Sequence, residues 1–162
     1  MKKIYLLLLL SFSSLVFSQN NEVKFNLAKL LDLSYERKLS HHFSAGMHLG
    51  TGIVTQQDVR NRLFLKSFGR YYFLNNQDFS KLYTQFSVVY FHDEYFPSKD
   101  PNISHSVGLY DELGITGGIG YKFLIIKKFT IDIYADLGIE LLHPKALLPL
   151  VADGGLNFGY RF

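Results

Sequence analysis

Apolar and polar residues alternate along almost the whole chain, most strictly in its last nine residues, GGLNFGYRF. Leu156, Phe158, Tyr160 and Phe162 fall on one face and Gly155, Asn157, Gly159 and Arg161 on the other, the period-two signature of a strand. Phe129 to Leu142 repeats it: Phe129, Ile131, Ile133, Ala135, Leu137, Ile139 and Leu141 oppose Thr130, Asp132, Tyr134, Asp136, Gly138 and Glu140. Further segments follow at Glu112–Ile125, Leu82–Tyr95, Arg60–Phe73 and Phe43–Val54, with no stretch of helical period. Ser40–His42, Asn75–Lys81 and Ile126–Lys128 make short connections. Thr55–Val59, Phe96–Asp111 and His143–Val151 make the alternate ones, and the last two carry all four Pro. Short turns on one side and longer loops on the other describe a membrane barrel, with the short turns periplasmic. If Phe162 and the exported N-terminus both lie on that side, the strand count is even. Asn21–Leu39 then holds two short strands, Glu22–Leu30 and Asp32–Leu39, joined near Leu31. The expected fold is a single all-β, eight-stranded, antiparallel up-and-down transmembrane barrel.

Alternation alone does not say which face is outside, since a lipocalin-like barrel would bury the apolar one. The glycines choose. Nine of the 13 lie on the polar faces: Gly46, Gly50, Gly52, Gly114, Gly118, Gly120, Gly138, Gly155 and Gly159. Gly weakens a strand and packs nothing on a wet surface, whereas a narrow eight-stranded interior needs residues without volume opposite large ones. Aromatic residues gather near strand ends, Phe43, Tyr71, Phe73, Phe123, Phe129, Tyr160 and Phe162 on one side and Tyr95, Phe96 and Tyr110 on the other, as two interfacial girdles would.

The N-terminus supplies an address. Lys2 and Lys3, the apolar run Ile4–Leu10 and the Ser-rich stretch to Ser18 describe a secretory signal peptide over 1–18, with the barrel over 19–162. The run is too short and interrupted for a membrane-spanning helix of ~20 residues. Without Lys2 and Lys3 the 17 basic residues fall to 15 against 14 acidic, so nothing points to nucleic acid. Zero Cys removes disulfides, thiol catalysis and zinc–thiolate sites. No phosphate-binding Gly loop is present, and Gly117-Gly118 lies inside a strand. No cofactor or metal is therefore expected.

With the signal peptide, about eight alternating strands, the strand ends LSYERKLS and RYYF and the terminal FGYRF, the chain resembles the small OmpA/OmpX-like bacterial outer-membrane β-barrel proteins over essentially all of Gln19–Phe162. The resemblance implies a cell outer-membrane location, outer-membrane lipid and lipopolysaccharide as surroundings, and a monomer. It also implies insertion by the barrel-assembly machinery, which reads a C-terminal aromatic strand such as Phe158, Tyr160 and Phe162. No peptidoglycan-binding domain is expected after the barrel.

The candidate chemistry is sparse. Asp132, Asp136 and Glu140 step along one strand by fours; Arg62, Lys66 and Arg70 step along an oppositely directed one. Arg70 should meet the depth of Asp132, Lys66 that of Asp136 and Arg62 that of Glu140. Glu36, Lys38, Lys122 and Arg161 add to the periplasmic half. Buried charges must pair, so an ion-pair network plugging the lumen is expected, with a narrow ion pathway as its alternative. His105-Ser106, with Asp93 or Glu94 across the preceding strand end, is the only catalytic candidate, and lipid A deacylases are small barrels with a His and a Ser at such a rim. Their His-x-Ser-Asn pattern is missing, and adjacent residues do not give the oriented base a nucleophile needs, so a polar surface loop is the preferred reading. His48 faces the lumen, where an interior histidine is expected rather than a ligand. His41 and His42 sit in a turn, and His92-Asp93-Glu94 has no second ligand run. The expected role is structural or surface-interacting, through the two long loops.

Overall fold

The computed structural model describes residues 20–27, 32–51, 59–74, 80–95, 108–142 and 150–162, the side chains of 59–62, 93–95 and 108–110 excepted. The signal-peptide segment, the tight turn near Leu31, Gly52 and Thr55 to Asp58 lie outside the described residues. So do Phe96 to Val107 with His105 and Ser106, and His143 to Pro149. The side chains of Arg62, Asp93, Glu94, Tyr95 and Tyr110 also fall outside.

Eight strands close one barrel in sequence order: β1 (Asn21–Asn26), β2 (Leu33–Lys38), β3 (Phe43–Gly50), β4 (Val59–Tyr72), β5 (Lys81–Tyr95), β6 (Gly108–Ile125), β7 (Phe129–Glu140) and β8 (Leu150–Arg161). Every neighbouring pair is antiparallel, including β1 with β8. The eight-stranded antiparallel fold expected from the alternation is the fold observed. β1 ends at Asn26, whose N–H donates to Asp32 C=O at 3.0 Å, and residues 28–30 of the expected Glu22–Leu30 lie outside the described residues. β6 begins at Gly108, four residues before the expected Glu112, because its early residues still pair with the end of β5.

Closure tilts the strands. A path perpendicular to them from Val23 runs through Tyr35, Met47, Ser67, Val88, Ile115 and Ile139 to Leu150 of β8. Val23 itself pairs with Tyr160 of β8, ten residues further on. Ten residues shared over eight strands is a climb of 1.25 residues per strand step. At a tilt of about 40° one residue rises about 2.5 Å along the axis. These relations assign each interior side chain a level.

The exterior is apolar. Val23, Met47, Phe86, Ile119, Leu137 and Leu150 are between 42% and 72% exposed. The interior carries Glu22, Lys24, Glu36, Lys66, Arg70, Lys122, Asp132 and Asp136, each 1% exposed or less. A water-soluble barrel has the reverse arrangement; this one suits hydrocarbon outside, and closure leaves no pairing edge in the ring. Glycines follow the same division. A Cβ on interior Gly118 would collide with Asp136 and the Ala135 carbonyl, whereas one on exterior Gly69 would meet nothing within 4 Å. At the short-turn end the exterior aromatics touch: Phe43–Tyr71 at 5.1 Å, Tyr71–Phe73 at 5.7 Å and Phe129–Tyr160 at 5.4 Å between ring centroids. The β6–β7 turn there places Ile126 and Lys127 at positive φ, the twist a tight hairpin needs.

Candidate functional site: the ion-pair network of the lumen

Interior polar residues gather because each strand sends alternate side chains inward, and all eight meet around a narrow axis. A lower tier lies within about one residue of the level of Val23. Its centre is Glu36. Glu36 Oε2 accepts from Lys24 Nζ, from Arg70 Nη1 at 2.8 Å and from Lys122 Nζ at 2.8 Å. Its Oε1 accepts from Ser44 at 2.5 Å and Tyr72 at 2.8 Å. Asp132 stands beside it: Oδ2 accepts from Arg70 at 2.7 Å and Lys24 at 2.8 Å, and Oδ1 from the Tyr83 hydroxyl at 2.5 Å. Glu22 completes the set, taking Thr130 at 2.5 Å, Lys122 at 3.1 Å and Arg161 at 3.5 Å. All six oxygens of these three carboxylates are engaged. The Arg70 guanidinium carbon lies over the Tyr83 ring at 4.2 Å and over the Phe68 ring at 4.6 Å from their centres while its Nε donates to Gln85 at 2.6 Å. Stacking plus planar donation is the use for which Arg, and not Lys, is suited.

A second group lies higher. Lys66 bridges Asp136 and Asp153, the latter at 2.6 Å, and sits 4.6 Å from the centre of the Tyr134 ring. Gln85 Nε2 donates to Asp136 at 2.7 Å. Across the lumen, Asn26 donates to Asp32 at 3.2 Å, and His48 Nδ1 stands 3.5 Å from Asp32 Oδ1. Burial in a low-dielectric interior makes each pairing electrostatically strong and each loss costly.

Among the residues singled out in the sequence, Glu36, Arg70, Lys122, Asp132 and Arg161 come together in the lower tier, and Lys66 and Asp136 in the upper group. Arg62 lies at the register shift between Asn61 and Leu63, its side chain outside the described residues. Glu140 sits half-buried at the far end of β7. Lys38 is half-buried and its N–H donates to Asn20 C=O at 2.8 Å. His42 lies in the turn, Nδ1 2.9 Å from the Tyr72 carbonyl, and His92 Nδ1 is 2.7 Å from Asp111. The sequence reading missed Glu22, Lys24, Tyr72, Tyr83 and Asp153. Parity would have found Asp153, two residues before Gly155 on the same face. Glu22 and Lys24 were hidden by the short, weakly patterned β1, and the two tyrosines look like girdle residues until the parity of β4 and β5 is applied. Phe158 and Tyr160 face outward, each 42% exposed, and Phe162 N–H donates to Asn21 C=O at 3.0 Å, tying the terminal residue to β1. Among the described residues no group of three or more His, Asp or Glu is arranged to hold a metal.

No protein-family model matches the chain, and no curated protein matches it. Among solved structures it is similar to the N-terminal β-barrel domain of Pseudomonas aeruginosa OprF. The two share 17% sequence identity at a TM-score of 0.64, over 89% of this chain and 98% of that one. At this identity the likeness establishes the fold, an OmpA-like closed eight-stranded barrel.

Proposed function

We propose that this chain is an integral protein of a bacterial outer membrane, exported by its first 18 residues, whose lumen is plugged by side chains and whose role is structural or surface-interacting. One observation carries the reading: an apolar exterior encloses a charge tier in which every oxygen of Glu36, Asp132 and Glu22 is engaged. The exterior needs lipid, and the tier leaves no charge free to pass an ion at low cost. Work at the cell surface then falls to the connections at the end opposite the short turns, 96–107 and 143–149. Outer-membrane lipid and lipopolysaccharide surround the belt. Phe158, Tyr160 and Phe162 serve as the signal to the assembly machinery. The test is fractionation with gel mobility. The detergent-extracted protein should come from the outer-membrane fraction and migrate differently before and after boiling. Co-migration of the two samples, with solubility in the absence of detergent, would refute the membrane barrel.

A further inference from the structure

The described Lys and Arg side chains divide into two sets. Lys24, Lys66, Arg70, Lys122 and Arg161 lie in the lumen against carboxylates. Arg37, Lys38, Lys81, Lys127 and Lys128 all lie at the short-turn end of the barrel, four of them exposed and Lys38 half-buried. The acidic side chains do not follow them there. At that depth Glu22, Glu36 and Asp132 point inward and are 0% exposed. The carboxylates that reach the surface, Asp111, Glu112 and Glu140, stand at the opposite end, on β6 and β7. Among the described residues no Asp or Glu side chain reaches the short-turn rim; Asp78, in the β4–β5 connection, lies outside them. The surface is thus basic at one end and acidic at the other.

We infer that this basic rim binds the headgroups of anionic phospholipids in the periplasmic leaflet, an inference that rests on the membrane-barrel reading above. Depth selects the partner. Arg37 shares the outward face of β2 with Leu33 and Tyr35. By register it lies within about one residue of the depth of Phe43, Tyr71 and Tyr160. Lys128 Nζ stands 5.9 Å from the centre of the Tyr160 ring. Exterior aromatics at a barrel end mark the membrane interface, so these cations sit where lipid phosphates lie. A partner from the aqueous side, such as the cell wall, would meet the turn tips but not Arg37 on the wall. Lys81 opens β5 and Lys127 lies in the β6–β7 turn, so the cations are spread around the ring as boundary lipids are. Basic side chains at this position attract net negative headgroups over a range set by salt. A zwitterionic headgroup carries its own cation beside the phosphate and gains less.

The test is electron spin resonance of the purified protein in phosphatidylcholine bilayers, with spin-labelled phosphatidylglycerol or phosphatidylcholine as the probe. The phosphatidylglycerol label should associate with the protein boundary about twofold or more over the phosphatidylcholine label. The preference should collapse in about 1 M salt, where the Debye length is about 3 Å. It should also be lost when Arg37, Lys81, Lys127 and Lys128 are all replaced by Gln, and persist in Asp111→Asn at the other end. Equal association of the two labels, a preference that survives the fourfold replacement, or one that Asp111→Asn also abolishes would overturn the inference. So would retention of the protein on purified peptidoglycan sacculi that the fourfold replacement removes while the lipid preference stays. Boiled and unboiled gel mobility of each sample separates the two readings: a heat-shifted barrel without lipid preference contradicts the rim alone, whereas a protein without the shift contradicts the membrane barrel.

Discussion

Glu36, Asp132 and Glu22 have every oxygen occupied, whereas a few residues higher the Ser34, Ser87 and Thr116 hydroxyls have no hydrogen-bond partner in the protein. The same barrel, strand number and width produce both layers, so geometry alone does not explain the difference. Side-chain length does. The lower tier is supplied by Lys24, Arg70, Lys122, Tyr72 and Tyr83, which reach the axis and meet there. The upper group mixes Lys66, Gln85, His48, Phe68 and Tyr134 with serines, a threonine and glycines. The lower layer closes the lumen by direct contact between its charged groups.

The comparison can be broken from below. Arg70→Met removes the guanidinium shared by Glu36 and Asp132 and should cost about 3–5 kcal/mol of unfolding free energy in detergent or bilayer, the penalty for stranding buried charge. Urea titration followed by boiled and unboiled gel mobility reads it; a loss under about 1 kcal/mol would mean that the tier is not a unit. Lys66→Met removes the cation shared by Asp136 and Asp153, but these keep Gln85 Nε2 and the Tyr134 hydroxyl as donors. The expected loss is smaller, about 1–3 kcal/mol, and a loss equal to that of Arg70→Met would erase the distinction between the layers. Gly118→Ala drives a methyl into Asp136 and the Ala135 carbonyl and should cost about 1–3 kcal/mol. Exterior Gly117→Ala, whose Cβ would meet only Gln85 O at 3.9 Å, should change stability by less than about 0.5 kcal/mol. Equal effects from the two glycines would mean that inside and outside are misassigned.

Much of this was legible in the chain. Period-two alternation places the six strands from Phe43 onward, because each has one apolar and one polar face and a slip of one residue would exchange them, and an even strand count supplies the two in Asn21–Leu39. The inward faces of β4 and β7 were readable for the same reason. Arg70 and Asp132 lie at similar distances from short turns, so they share a depth. β1 was the hardest element: its six residues carry few alternations, and with it went Glu22 and Lys24. Which donors converge on one carboxylate oxygen was also out of reach, since that depends on the ten-residue stagger, which only the closed pairing of β1 with β8 reveals. The unpartnered hydroxyls of the upper group left no trace in the sequence, because Ser and Thr on an inward face look alike whether paired or not.

A plugged lumen is the centre of this account, and planar-bilayer recording addresses it most directly. The purified, refolded protein should give no stable unitary conductance, and Asp136→Ala should leave that silence unchanged because the lower tier remains intact. A steady, charge-selective conductance that shifts in Asp136→Ala would show that ions traverse the ladder and that the tier is not a seal.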